Sequence, residues 1–298
     1  MDSVLFLRIR RAVVTGLRGI AAVLLCLSVT VTLIAAFVKL TVFDRNEYQA
    51  VVEEDGFSAK MATFVRDALE SECLFYDLPF TVLDTAVTEE FVHTFSLAYA
   101  DSLYEALFVG GELTIPEVDP EPYRAAIAAH FETLPKEEQP LDVDADETIA
   151  AELAKTASLV LQSGVSDRIL QPAHAVINHP LLICLTSNFN VLAGMTVALL
   201  ILCLLLGVGC IRRQVYAACS ALTVGSMLVF VPAWLLQRYD LPAKLVLGAS
   251  PLRLYVEGIL YRFTQQLYQL SAWALVLSAV LLLAAIVWRV WPRKSREV

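Results

Sequence analysis

At 298 residues the chain is long enough for one large soluble domain or two smaller ones, but 57% apolar residues and a mean hydropathy of +0.63 exclude both as a full description. The formal net charge of −9 conceals two oppositely charged parts: Asp44–Ser187 holds 27 acidic and 7 basic residues, and everything else holds 4 acidic and 15 basic. So polyanionic a stretch argues against nucleic acid as a partner, because phosphate binding depends on Lys and Arg.

The chain begins with a short basic segment, 1–18, containing Arg8, Arg10 and Arg11. An uncharged apolar run, Gly19–Val38, follows and matches the roughly 20 helical residues needed to cross about 30 Å of hydrocarbon. A segment of this kind must be helical in a bilayer, since no water is present to satisfy its backbone polar groups. Its length, and the lack of a small-x-small site before a polar start, predict an uncleaved signal anchor. Ser28, Thr32 and Ala36 recur at helical spacing along it, the pattern of a close helix–helix seam. Arg18 sits at its basic end, where snorkelling to headgroups is expected.

Residues 39–188 form a domain-sized acidic insert. Tyr48, Val51, Val52, Met61, Phe64, Val65 and Leu69 recur at three- and four-residue intervals, predicting helix that is broken near Gly56. Thr88 as N-cap, followed by Glu89 and Glu90, predicts a helix to about Phe108, ended by Gly110–Gly111. Tyr123–Thr133 after Pro120 and Pro122, Asp146–Gln162 and Asp167–Asn178 are the remaining predicted helices. No segment shows the alternating pattern of a strand, so the insert reads as a small all-helical domain.

Asp142, Asp144, Asp146 and Glu147 resemble the opening of a calcium loop, but Glu147 stands where the loop needs Gly and Leu153 where it needs Glu. Helix-start carboxylates are the simpler reading. His93, His130, His174 and His179 show no metal spacing; the last two are five apart and point to different sides of a helix. Of six cysteines, Cys26, Cys203, Cys210 and Cys219 lie in or beside apolar runs. Cys73 and Cys184 face the oxidising side and are the one disulfide candidate. No motif calls for a catalytic residue or a cofactor, and none is assigned.

Phe189–Ile211 is the second predicted span, Arg212–Gln214 a tight basic turn, and Val215–Gln237 the third span. The third carries a small-residue stripe at Ala217, Ala221 and Gly225, and a Pro232 expected to bend it. The loop 238–266 contains Ser250–Pro251, a helix start, and is read as an interfacial amphipathic helix that then turns into the fourth span, Leu267–Trp288. Tyr255, Tyr261 and Tyr268 are read as an aromatic belt. The tail 289–298 is basic, with Arg293, Lys294 and Arg296.

Arg8, Arg10 and Arg11, then Arg212 and Arg213, then Arg293, Lys294 and Arg296 fall on one side of the four spans. The positive-inside rule makes that side the cytoplasm, with both termini inside and the insert outside a cell membrane. Arg238, Lys244, Arg253 and Arg262 count against this orientation, lying on the outer side. The expected fold is therefore all-α: four transmembrane helices with a helical extracytoplasmic domain between the first two.

Two stretches of the insert, Leu78-Pro79-Phe80-Thr81-Val82-Leu83-Asp84 and Thr88-Glu89-Glu90-Phe91-Val92, with Tyr99–Tyr104, resemble a pattern in uncharacterised four-span membrane proteins of Gram-positive bacteria. That resemblance implies the span layout and no activity. The order of one span, a large outer domain and three spans is also similar to permeases of cell-division and macrolide-type ABC systems, in topology alone. Spans two to four contain no Asp, Glu, Lys, Arg or His, which argues against a proton-coupled carrier or an intramembrane protease. The leading expectation is a non-enzymatic membrane protein whose outer domain binds a protein partner or ligand. The alternatives are a subunit of a transporter or envelope complex and an extracytoplasmic hydrolase using clustered carboxylates.

Overall fold

A computed structural model of the chain describes residues 2–110, 112–135, 145–162, 174–206, 211–240, 244 and 251–290, with backbone alone at 2–12 and 251–252. The described residues are helical with no strand. Eleven helices are labelled in chain order: α1 Asp2–Phe37, α2 Arg45–Val52, α3 Phe57–Phe75, α4 Val82–Ala86, α5 Glu89–Tyr104, α6 Glu121–Thr133, α7 Ala145–Gln162, α8 Pro180–Ser187, α9 Phe189–Leu205, α10 Ile211–Arg238 and α11 Pro251–Val290. Short π-helical turns, Val38–Val42 and Glu105–Val109, extend α1 and α5.

The chain divides into two compact units. One is Met1–Phe43, His179–Leu241 and Phe263–Val298; the other is Asp44–Asn178 and Pro242–Arg262. The first contains three helical stretches long and apolar enough to cross a bilayer: Val13–Val42, Ile211–Arg238 and Arg253–Val290, the last beginning inside the other unit. A fourth exists only if α8 and α9 count together, and they are bent by 65° at their junction. The expected second span, Phe189–Ile211, begins at this bend and is described as α9 as far as Leu205; before it, His179 caps α8, its ring nitrogen accepting from the Leu181 N–H at 3.3 Å, and Pro180 occupies the first helical position. Arg212–Gln214, expected as a turn, is the helical first turn of α10, which continues through Pro232 without ending.

Small residues and hydroxyls hold the apolar unit together. In α1, the Ser28 and Thr32 hydroxyls converge on Thr196 of α9 at 2.7 and 2.8 Å, while Thr196 donates to its own Leu192 carbonyl at 3.0 Å. Thr30 donates to the Gly225 carbonyl of α10 at 3.1 Å. Gly225 permits that approach: a Cβ there would lie 2.7 Å from the Cys26 carbonyl oxygen and 3.0 Å from Val29 Cβ. Ser28, Ala36, Ala221 and Gly225 are buried, and Thr32 and Ala217 half-buried. Arg18, expected to snorkel, instead donates through Nε and Nη2 to the Leu206 carbonyl at 3.0 and 2.8 Å, closing the end of α9.

The acidic unit is a helical domain with one core. Met61, Val65, Leu69 and Cys73 of α3 recur every fourth residue and are all buried, as are Val92, Phe95 and Tyr99 of α5, Tyr123 and Ile127 of α6, and Ala150, Leu153, Ala157 and Leu161 of α7. Thr88 accepts from the Phe91 N–H at 3.1 Å and caps α5, and Gly56 and Gly110 take the left-handed φ of +80° at the predicted breaks. The fifth predicted helix, Asp167–Asn178, lies mostly outside the described residues.

The domain also includes the start of α11, which corrects the expectation of a separate interfacial helix that turns into a span. α11 is one helix of 40 residues with no turn within it. Tyr255 is 3% exposed and packs its ring against Phe57 and Tyr99, at centroid distances of 5.0 and 5.9 Å, so it belongs to the core and not to an aromatic belt. Gly258 sits against Val51, whose Cγ1 would be 2.5 Å from an added Cβ. Arg262 binds Glu47 at 3.1 Å and Glu54 at 3.3 Å. Asp44–Asn178 alone does not complete this core; the Arg253–Arg262 part of α11 supplies one of its walls.

Candidate functional site

The carboxylates singled out for calcium do not form a site among the described residues. Asp146 accepts from Arg124 Nε at 3.2 Å, so a guanidinium already occupies it, while Asp142 and Asp144 lie outside the described residues. No group of three or more metal-ligating side chains occurs among the described residues. His179 serves as a helix cap. Cys73, which is buried, and Cys184, which is exposed, are both free thiols. Burial pushes the Cys73 thiol above its ordinary range, with Glu72 and Glu70 adding to the effect, which leaves it a poor nucleophile. Arg293, Lys294 and Arg296 are outside the described residues, as are the side chains of Arg8, Arg10 and Arg11.

Ion pairing does little to reduce the domain's acidity. Arg45, Arg66, Arg124, Lys155, Arg253 and Arg262 each contact a carboxylate of the domain. Yet Asp44–Asn178 with Pro242–Arg262 contains 28 acidic and 10 basic residues, so even complete pairing leaves 18 carboxylates over. The best-built pair is Asp101, which accepts from Arg45 Nε at 2.9 Å and Gln49 Nε2 at 2.6 Å and ties α5 to α2. The Arg45 hydrogen bond holds its carboxyl below the usual range against an opposing effect of burial. Tyr99, whose buried hydroxyl has no hydrogen-bond partner among the described residues, is pushed up to about 12 by desolvation.

The described residues of this domain include a concave feature. After Gly110 the chain leaves helix, and its irregular course to Asp119 is fastened at both ends: the Thr114 N–H donates to Ser102 Oγ of α5 at 2.7 Å, and Asp119 accepts from the Glu121 N–H at 3.0 Å. Leu113 and Val118 pack against the core from this segment. Pro116 and Pro120 stiffen it by fixing φ. Between the segment and α7 lies a cleft of about 470 Å³. One wall is Ile115, Pro116 and Val118; the other is the outward face of α7, with Ala151, Ala154 and Leu159. Leu159 is 58% exposed and Ile115 40%, although the opposite face of the same helix is core.

Polar groups ring the cleft sparsely: Glu117 on one side, Lys155, Ser158 and Gln162 on the other, with Lys155 held by Glu152 at 3.3 Å. The lining contains one carboxylate, Glu117, whereas a paired-carboxylate hydrolase uses two that converge. The apolar walls suit the cleft to receive an apolar side chain. Sequence patterning did not single out this cleft. Leu159 falls among the residues of a predicted helix, and only the packing of 115–120 against α7 makes its exposure part of a pocket.

The chain matches no protein-family model, no curated protein and no solved structure.

Proposed function

We propose that this chain is a non-enzymatic integral membrane protein whose acidic helical domain binds a protein partner on the outer side of the membrane. The observation that carries the reading is the 470 Å³ cleft, walled by Ile115, Pro116 and Leu159 and set in a domain with a large surplus of carboxylates. The partner implied is a segment that presents an apolar anchor with basic residues around it. The anchor fills the cleft and gives affinity, while the surrounding charge steers the encounter.

Orientation with the domain outside is part of the same proposal. Arg18, Arg212, Arg213 and Arg289 gather at one end of the apolar unit: Arg212 lies over the Trp288 ring at 5.6 Å and Arg289 over the Tyr216 ring at 5.1 Å. Arg253 and Arg262, which counted against this orientation in sequence, are bound by Glu257, Glu47 and Glu54. They are neutralised within the folded domain.

The test is made in intact cells on a Cys184→Ser background. Ser158→Cys should react with a membrane-impermeant thiol reagent, and a photocrosslinker at Leu159 should trap a discrete protein adduct that Ile115→Asp abolishes. Labelling only after permeabilisation would overturn the orientation. An accessible Ser158→Cys with no adduct beyond that seen from a crosslinker at exposed Glu70 would overturn the cleft as the binding site.

A further inference from the structure

A second cleft, of about 610 Å³, lies in the apolar unit between α1, α10 and α11. Its floor is Ala22, Ala217 and Ala221, small residues that leave room beside helices otherwise covered by large apolar side chains. Its mouth carries two arginines, Arg213 in the first turn of α10 and Arg289 near the end of α11, with Tyr216 between the helices under the Arg289 guanidinium. The unit has only three acidic side chains in its sequence, Asp2, Asp240 and Glu297. Of these only Asp240 is described as to its side chain, and it stands just past the end of α10 opposite Arg213. The cleft thus combines two fixed positive charges with an apolar trough and no described carboxylate.

We infer that this cleft is a binding site for one anionic phospholipid, its phosphate held between Arg213 and Arg289 and an acyl chain laid over Ala217 and Ala221. A free anion would use the guanidinium groups and leave the apolar trough in contact with nothing that matches it. A zwitterionic lipid would fill the trough, but its own cation would oppose the arginines. A basic pocket between transmembrane helices at one membrane face has the chemistry for an anionic headgroup. Arg289 is also held against Tyr216 by the cation–π contact, so less side-chain entropy is lost when a phosphate arrives. The inference rests on the apolar helices lying in a bilayer and not on which side the acidic domain faces.

The experiment uses the full chain purified in mild detergent, with Trp288 as the sole tryptophan and Trp234, Trp273 and Trp291 changed to Phe. Trp288 neighbours Arg289 in the chain, and its fluorescence is quenched by a brominated acyl chain nearby. Dibrominated phosphatidylglycerol should quench at concentrations at least about fivefold lower than dibrominated phosphatidylcholine, the ratio expected from one guanidinium. Arg213→Gln should reduce that preference about fivefold while leaving phosphatidylcholine quenching unchanged, and Arg289→Lys, which keeps the charge, should retain most of it. Changing Arg293, Lys294 and Arg296 together to Gln should leave the preference in place, separating the cleft from general attraction to a basic tail. Equal quenching by both lipids, an undiminished preference in Arg213→Gln, or loss of the preference on mixing in millimolar inorganic phosphate would overturn the proposal. Quenching of the wild-type chain, with all four tryptophans, by brominated phosphatidylcholine reports membrane insertion separately, so failure of that premise would be seen as such.

Discussion

Replacing Tyr255 by Ala tests whether Arg253–Arg262 is an integral wall of the acidic domain. The ring is 3% exposed, stacked edge-on to Phe57 and Tyr99, and its hydroxyl reaches the Ser96 carbonyl at 3.4 Å. Truncating a buried aromatic to Ala costs about 3–5 kcal/mol through lost burial and the cavity left behind. That is a large share of a domain stability of about 5–15 kcal/mol. Tyr255→Phe removes only a long hydrogen bond and should cost about 1 kcal/mol or less. Amide hydrogen exchange on the detergent-solubilised chain provides the readout. The slowest amides of α3 and α5, which report global opening of the domain, should exchange about 150-fold faster or more in the Ala variant, since 1.4 kcal/mol is a factor of ten. Exchange in α5 within threefold of wild type would refute the claim that this segment completes the core.

Two further outcomes follow from other contacts. Gly225→Ala should destabilise the apolar unit by about 1–3 kcal/mol, because the new methyl meets the Cys26 carbonyl, which cannot rotate away; Thr196→Val, which removes the acceptor shared by Ser28 and Thr32, should cost less, about 0.6 kcal/mol per lost bond, and thermal unfolding in detergent ranks the two. Asp101→Asn should lower the stability of the acidic domain by about 1 kcal/mol at pH 7. The folded-state pKa of Asp101 is depressed, so its contribution is fully present above the unfolded value near 3.9 and is lost as pH falls through the folded one. Unfolding curves of wild type and Asp101→Asn should therefore converge below about pH 4, and a constant gap down to pH 2 would contradict the assignment.

Local signals made much of the helical domain legible. Thr88 followed by two glutamates, the glycines at 56 and 110, and the spacing through Met61, Val65 and Leu69 all act within a few residues, and the structure places helix ends and buried residues where they indicate. What local signals could not convey was which distant segment covers a face. An amphipathic stretch such as Leu252–Phe263 looks the same whether its apolar side meets lipid or meets Phe57 and Tyr99. The 65° break before Phe189 coincides with the start of the second predicted span, but an apolar run does not show whether the helix preceding it, Pro180–Ser187, runs straight into it. There, however, His179–Pro180 was a readable helix start. Arg212–Gln214 reads as a turn because charge interrupts hydropathy, although Arg and Gln are good helix formers and charged side chains suit the end of a span. The cleft beside α7 had no sequence signature, because Leu159 gains its meaning only from Ile115 and Pro116 lying opposite.

Closing a domain with a segment far along the chain imposes a schedule on its birth. The contact between Ser96 and Tyr255 spans 159 positions. At about 5–20 residues per second, a ribosome needs roughly ten seconds or more to deliver the second after the first. Throughout that interval Phe57 and Tyr99 face an unfilled gap, and two apolar stretches, Phe189–Leu205 and Ile211–Arg238, must be synthesised before the missing piece emerges. Nascent chains arrested before residue 255 carry that open wound on their surface, so premature termination yields a sticky product that chaperones and proteases can recognise instead of a smaller working protein.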